Sequence, residues 1–200
     1  MKPARLQKGE AMIILDLCGG TGAWSKPYKD AGYDVRVIDI KNGDDVRLYE
    51  WVNEPVRGIL AAPPCVEFSF AKHFHGKGNY THDFLSGLQI VDACMRIIYS
   101  RRSKWWALEN PKNYLQRWIG PPDFEFDPWE FGDPYQKRTC IWGAFNIPMT
   151  TVERKPEGLV KFSILKSKEI YPEHYGKLTR QERRAITPPG FAQAFFEANP

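Results

Sequence analysis

Four short apolar runs, each closed by a compact polar, glycine or proline signal, constrain this chain most. Met12 to Leu15 runs into Asp16 and then Cys18-Gly19-Gly20-Thr21-Gly22, and Val35 to Ile38 ends at Asp39. Val56 to Ala61 ends at Pro63-Pro64-Cys65, and Trp105 to Leu108 at Glu109-Asn110-Pro111. Each run has strand length, and helical patterns lie between them. Ala23 to Ala31 reads as a helix closed by Gly32, while Phe84, Leu88, Val91, Met95 and Ile98 recur at the spacing of one helical face. Strands alternating with helices predict a mostly parallel α/β sheet covered by helices on both faces, whose ligands collect at the carboxyl ends of the strands. The four polar signals stand at those ends. Further on, the pattern predicts a strand near Thr139 to Trp142 and two terminal helices. Thr179 with Glu182 fits a capping box, and Thr187-Pro188-Pro189 fits an N-cap followed by proline in the first turn.

Two hundred residues suit one domain over 1–200, which buries roughly 70% of the unfolded chain's surface. No repeat, low-complexity tract or linker divides it. The charge of +4, from 28 basic and 24 acidic side chains, is mild, but basic residues gather from Arg154 onward: Lys155, Lys161, Lys166, Lys168, Lys177, Arg180, Arg183 and Arg184. Such a run is read either as a phosphate-facing edge or as a solvated surface. Cys18, Cys65, Cys94 and Cys140 form no CxxC pair, so neither a zinc ribbon nor a disulfide framework is expected, and reduced thiols point to a cytoplasmic setting. His73, His75 and His82 lack zinc-like spacing, and no metal is expected. The start, MKPARLQKGEAM, has no apolar stretch, and no run approaches the roughly 20 residues of a membrane helix. Secretion and membrane spanning are disfavoured.

Glycines at the first strand exit let the backbone approach a ligand, and a carboxylate about 20 residues further on commonly binds ribose hydroxyls. Asp39 is that carboxylate. The turn reads GGTG rather than GxGxxG, which points away from a pyrophosphate cradle and towards a nucleoside cofactor such as S-adenosylmethionine; a merely tight turn is the alternative. Asp45 is either a partner for an adenine amino group or a surface turn aspartate. Cys65 follows two prolines that stiffen the backbone and present the thiol, as a nucleophile or as an inert core cysteine. Glu109 follows a strongly apolar run, where burial raises a carboxyl's pKa and suits it to hold or share a proton. Arg138 is a candidate partner for it, or a planar fork for a nucleobase or phosphate. The polar loop from Phe70 to Tyr80 reads as a lid over a bound nucleotide, or as an ordinary surface loop.

The order of these motifs, DLCGGTG at 16–22, APPCVEFS at 62–69, ENP at 109–111 and YQKRTCIWG at 135–143, resembles the DNA cytosine-5 methyltransferase family, especially its small phage and viral members. The ending TPPGFAQAFFEA resembles the family's last motif. The resemblance implies a Rossmann-like, S-adenosylmethionine-dependent methyltransferase fold and methyl transfer to C5 of cytosine in DNA. Cys65 would attack the base, Glu109 would hold its ring, and Arg138 would position base and thiol. Asp16, Gly19, Gly20, Thr21, Gly22, Asp39, Ile40, Asp45, Pro63 and Thr187 would meet the cofactor. Pro64, Ser69, Asn110 and Gln136 would meet the substrate. The chain departs from the pattern at Cys18 (usually phenylalanine), Cys140 (usually arginine) and Ile186 (usually asparagine). A short basic segment, 144–178, replaces the long target-recognition region.

A base inside a duplex cannot expose C6 to a thiol, so the expected partner is DNA offering a flipped or single-stranded cytosine, with selectivity either weak or supplied by a separate recognition protein. Three other readings remain open: cytosine in RNA or a free nucleotide as acceptor, a non-catalytic accessory module that binds nucleic acid, and a methyltransferase-like fold with a structural thiol and no cofactor.

Overall fold

The computed structural model describes residues 13–50, 54–70, 81–161, 172 and 176–200. Met12, His73, His75, Lys166, Lys168 and all but the first residue of the 70–80 loop fall outside them. The elements run β1 (Ile13–Leu17), α1 (Lys26–Asp30), β2 (Asp34–Ile38), β3 (Val56–Ala61), α2 (Phe84–Ser100), β4 (Trp105–Pro111), α3 (Gln116–Ile119), β5 (Phe124–Phe126), β6 (Tyr135–Gln136), β7 (Thr139–Ala144), β8 (Val160–Lys161), α4 (Arg180–Ala185) and α5 (Pro189–Ala198).

Six strands form one sheet in the order β2-β1-β3-β4-β7-β5. β1, β2, β3 and β4 pair in parallel, whereas β7 runs antiparallel to both β4 and β5. β1 is buried along its whole length because its alternate side chains feed two cores. Ile13, Leu15 and Leu17 pack with Ile59, Ala61 and Leu108 against Val91, Cys94, Ile97 and Ile98 of α2. Ile14, Leu60 and Ala107 point the other way, onto Tyr28 of α1 and Phe191, Phe195 and Phe196 of α5. Helices therefore cover both faces, as the strand and helix alternation predicts.

The structure departs from three local expectations. The helix expected from Ala23 is only Lys26–Asp30. The turn that begins at the left-handed Cys18, Gly20 and Gly22 continues to Ser25, the residue before the helix, whose hydroxyl donates to the Asp16 carboxylate at 2.5 Å. β4 does not end at Leu108 but runs through Pro111, because antiparallel β7 pairs Glu109 with Ile141, Asn110 with Cys140 and Pro111 with Thr139. The last helix is capped at Pro188, not Thr187, and has no side-chain cap. The Thr179 and Glu182 capping box forms as the spacing predicts.

Candidate active site

β2 and β3 flank β1, and α1 and α2 pack on opposite faces of the sheet, so the order of connections reverses at β1. The crevice at such a switch point, beyond the carboxyl ends of the strands, is where ligands of open α/β sheets bind. The Ala62 N–H donates to the Leu17 carbonyl at 2.9 Å, which ties the two strand exits together. Beyond them opens a cleft of about 1250 Å³, larger than the roughly 300–1000 Å³ of a single small-molecule site.

Cys65, Glu109 and Arg138 line this one cleft, with Asp16, Gly19, Gly20, Thr21, Asp39, Ile40, Asp45, Pro63, Pro64, Ser69, Gln136 and Thr187. Two expected site residues, Gly22 and Asn110, do not. Gly22 has left-handed backbone and closes the turn, its N–H donating to the Gly19 carbonyl at 2.9 Å. Asn110 is fully buried, where its Nδ2 donates to the Pro63 carbonyl at 2.9 Å and its Oδ1 accepts from Asn113; it holds the proline turn rather than facing a substrate.

One end of the cleft is acidic, with Asp16, Asp39, Asp44 and Asp45. Burial pushes the Asp16 carboxyl up to about 7, with Ser25 pulling it down and Asp39 adding to the rise. A Cβ on Gly19 would stand 2.4 Å from that carboxyl group, so the close turn requires glycine there. Asp39 accepts from the Gly20 N–H at 2.8 Å and the Lys41 N–H at 3.0 Å, which fixes the glycine turn against the end of β2. Asp45 is gripped by the Arg47 guanidinium, whose Nε stands 2.9 Å from Oδ1 and 3.0 Å from Oδ2. Among the described residues, Asp16 Oδ1 and Trp24 Nε1 are buried polar atoms without a hydrogen-bond partner, and both side chains line the cleft. Ile40 is 69% exposed there, a large apolar surface beside the carboxylates.

At the other end stand Cys65 and Glu109 with Lys137, Arg138 and Arg184. The half-buried Cys65 sits on a turn locked from two sides. Asn110 holds Pro63, and Phe68 is fully buried against Gly87 of α2, where a Cβ would meet its ring at 2.9 Å. Burial raises the Cys65 thiol; Lys137 and Arg184 oppose that rise, and Glu109 adds to it. Burial also raises Glu109, against the pull of Lys137.

The cation facing Glu109 is Lys137, its Nζ 3.9 Å from Oε1, and not the expected Arg138. Arg138 instead reaches Glu125 at 3.1 Å and Asp127 at 3.7 Å. Pattern reading also missed Trp24, absorbed into a helix that does not form there, and Arg184, hidden within a basic run. The departures from the motif pattern have places too. Cys140 is buried in the α2-side core, where a charged arginine would lack solvent, and Ile186 packs with Tyr135. The His82 ring places Nδ1 2.6 Å from the Glu67 carbonyl and stacks on Phe84 with ring centroids 4.9 Å apart. Among the described residues no group of three or more His, Cys, Asp or Glu is placed to hold a metal ion, and no helix is long and apolar enough to cross a membrane.

No family model matches the chain, and no curated protein matches it in sequence. Its fold does have solved counterparts. One is described as a putative DNA modification methyltransferase encoded within a prophage of E. coli, with a TM-score of 0.53 and 17% identity over 84% of this chain. The chain spans 56% of that protein's length. A variant of DNMT2 from Spodoptera frugiperda matches 76% of this chain and 55% of its own at 18% identity, with a TM-score of 0.37, too low to bear on the fold. At such identities the likeness speaks for architecture alone. The chain shares with that prophage protein a Rossmann-like, mostly parallel α/β fold.

Proposed function

We propose that this chain transfers a methyl group from S-adenosylmethionine to C5 of cytosine in DNA, through a covalent bond between Cys65 and C6 of the base. One observation carries the reading: the Cys65 thiol, the Glu109 carboxyl and the Gly19-Gly20-Thr21 turn open onto a single cleft. The acidic end suits a cofactor with a sulfonium and an ammonium group. The orphaned Asp16 Oδ1 and Trp24 Nε1 offer an acceptor and a donor to an amino acid moiety, and exposed Ile40 offers apolar cover to a flat ring. Arg184 and the 44% exposed Arg138 offer cations to a polyanion.

When bound, S-adenosylmethionine supplies an electrophilic methyl group. The residues of this chain make the acceptor reactive. The Cys65 sulfur adds to C6 and passes an electron pair to C5, which turns a poor carbon nucleophile into an enamine-like one. Glu109, whose carboxyl burial raises, hydrogen-bonds the base at N3 and the exocyclic amine and stabilises that charge distribution. After C5 is methylated, loss of its proton expels the Cys65 thiolate and restores the aromatic ring. Pro63, Pro64 and Asn110 keep the sulfur in place throughout, which limits the entropy cost of each attack. The short segment after β7 docks locally, with Val160 and Lys161 of β8 paired to Tyr135 and Gln136 beside the cleft. Selectivity for a target sequence then falls to few contacts or to a separate protein.

Labelled S-adenosylmethionine offered with duplex DNA, single-stranded DNA, RNA or dCMP tests the acceptor. Label is expected in DNA. Transfer only to RNA or dCMP overturns the choice of substrate, and transfer to none overturns the enzyme. An oligonucleotide carrying 5-fluorocytosine should form a covalent adduct with the wild-type chain and none with Cys65→Ala.

A further inference from the structure

Consecutive residues on the link between β6 and β7 carry their charges to different places. Lys137 keeps 15% of its side chain exposed, and its Nζ lies 3.9 Å from Glu109 Oε1, on a carboxylate only 10% exposed. Arg138 is 44% exposed and is occupied by Glu125 and Asp127, both on the β5 side of the link. The motif pattern nominates Arg138 as the residue that positions base and thiol, but its guanidinium is directed to Asp127 and to Glu125, which Lys112 also holds. Lys137 is the more enclosed cation; it pairs with Glu109 and lines the cleft together with Cys65.

We propose that Lys137 is the positioning residue of the reacting pair: its ammonium stabilises the Cys65 thiolate and the Glu109 carboxylate together, so that either can carry negative charge while the other is neutral. The inference rests on the reading of Cys65 as nucleophile and adds the group that makes it one. Cys65 shares the cleft with Lys137, Glu109 and Arg184, and the charges of Lys137 and Arg184 pull its thiol down while that of Glu109 pushes it up. Of the two cations at the thiol, only Lys137 also pairs with Glu109. A buried thiol beside a carboxylate is held in its unreactive form, because desolvation and like charge both oppose the thiolate. A lysine paired with that carboxylate opposes the second effect. When Cys65 bonds to C6 and its charge is spent, the same ammonium remains against Glu109.

The rate at which iodoacetamide alkylates Cys65, read as a function of pH by mass spectrometry of the Cys65 peptide, tests this on the full chain. Lys137→Met is expected to move the midpoint up by about one pH unit, a loss of about tenfold in rate at neutral pH. Lys137→Arg is expected to restore most of the rate, and Arg138→Met to leave the midpoint in place. An unmoved Lys137→Met profile, or an Arg138→Met shift as large, overturns the proposal. Should Lys137→Met fail to fold, Lys137→Arg and Lys137→Gln still decide the matter, since only the first keeps the charge. Alkylation needs neither cofactor nor DNA. A chain that transfers no methyl group but shows the Lys137 shift therefore refutes the proposed reaction and not this role.

Discussion

Asp16 illustrates what a single buried group contributes on either side of neutrality. Its carboxyl is wholly enclosed, tied to Ser25, and raised to about 7 chiefly by burial. The folded-state value stands above that of the unfolded chain, so its stabilising contribution is complete below about pH 4 and is lost as pH rises through 7. A rise from the ordinary carboxyl range to neutrality corresponds to about 4 kcal/mol between the two protonation states. Chemical denaturation of the unliganded protein between pH 5 and 8 should therefore show wild type losing stability relative to Asp16→Asn. Parallel curves would contradict the assignment. Glu109→Gln belongs to the same scale: it keeps the shape and a hydrogen bond but fixes the protonation, and turnover should fall far more than cofactor affinity. Equal losses in kcat and in the cofactor Kd would argue against its place at the base.

Among the elements, the turn after β3 depends on α2 through Phe68. Gly87 leaves room for that ring, and the helix gives up about 1 kcal/mol of propensity relative to alanine to do so. Gly87→Ala should destabilise the fold by about 1–3 kcal/mol despite better propensity, and should also slow Cys65 alkylation, because the displaced ring moves the thiol's turn. Lost stability without slowed alkylation would show that the turn is held elsewhere. The same elements show what a linear reading can and cannot see. β3 is legible at its observed bounds, since the apolar Ile59-Leu60-Ala61 and the two prolines beyond it are local facts. The length of β4 is not, because it is set by a partner strand about 30 residues later. α1 begins late, after Ser25, whose hydroxyl is drawn to Asp16 nine residues back. Cys65, Glu109 and the glycine turn are recognisable from strand ends that a parallel sheet must bring together. Lys137 is not, since which of two adjacent cations faces inward depends on the twist of a two-residue link.

Across the whole molecule, charge and packing gather in different places. The cleft mixes both signs, with Asp16, Asp39, Asp44 and Asp45 beside Lys41 and Arg47, and Lys137 and Arg138 beside Glu109 and Asp127, while the second core is an aromatic seam between sheet and α5. Phe191 stacks on Phe126 with ring centroids 3.9 Å apart and meets Trp24, Phe131 and Phe195. Phe191→Ala should cost about 3–5 kcal/mol in urea denaturation. Because Trp24 also lines the cleft, the same variant should weaken cofactor binding, measured by calorimetry; unchanged affinity would separate the seam from the site. The end of the chain completes the seam, with Tyr28 donating to the Asn199 carbonyl and Arg57 to that of Pro200. Synthesis runs from the amino end, so all six strands leave the ribosome before the helix that roofs one of their faces. Until it emerges, Tyr28, Trp105 and Phe126 lie bare to water, and a nascent chain paused at that point is a natural client for chaperones that grip greasy surfaces.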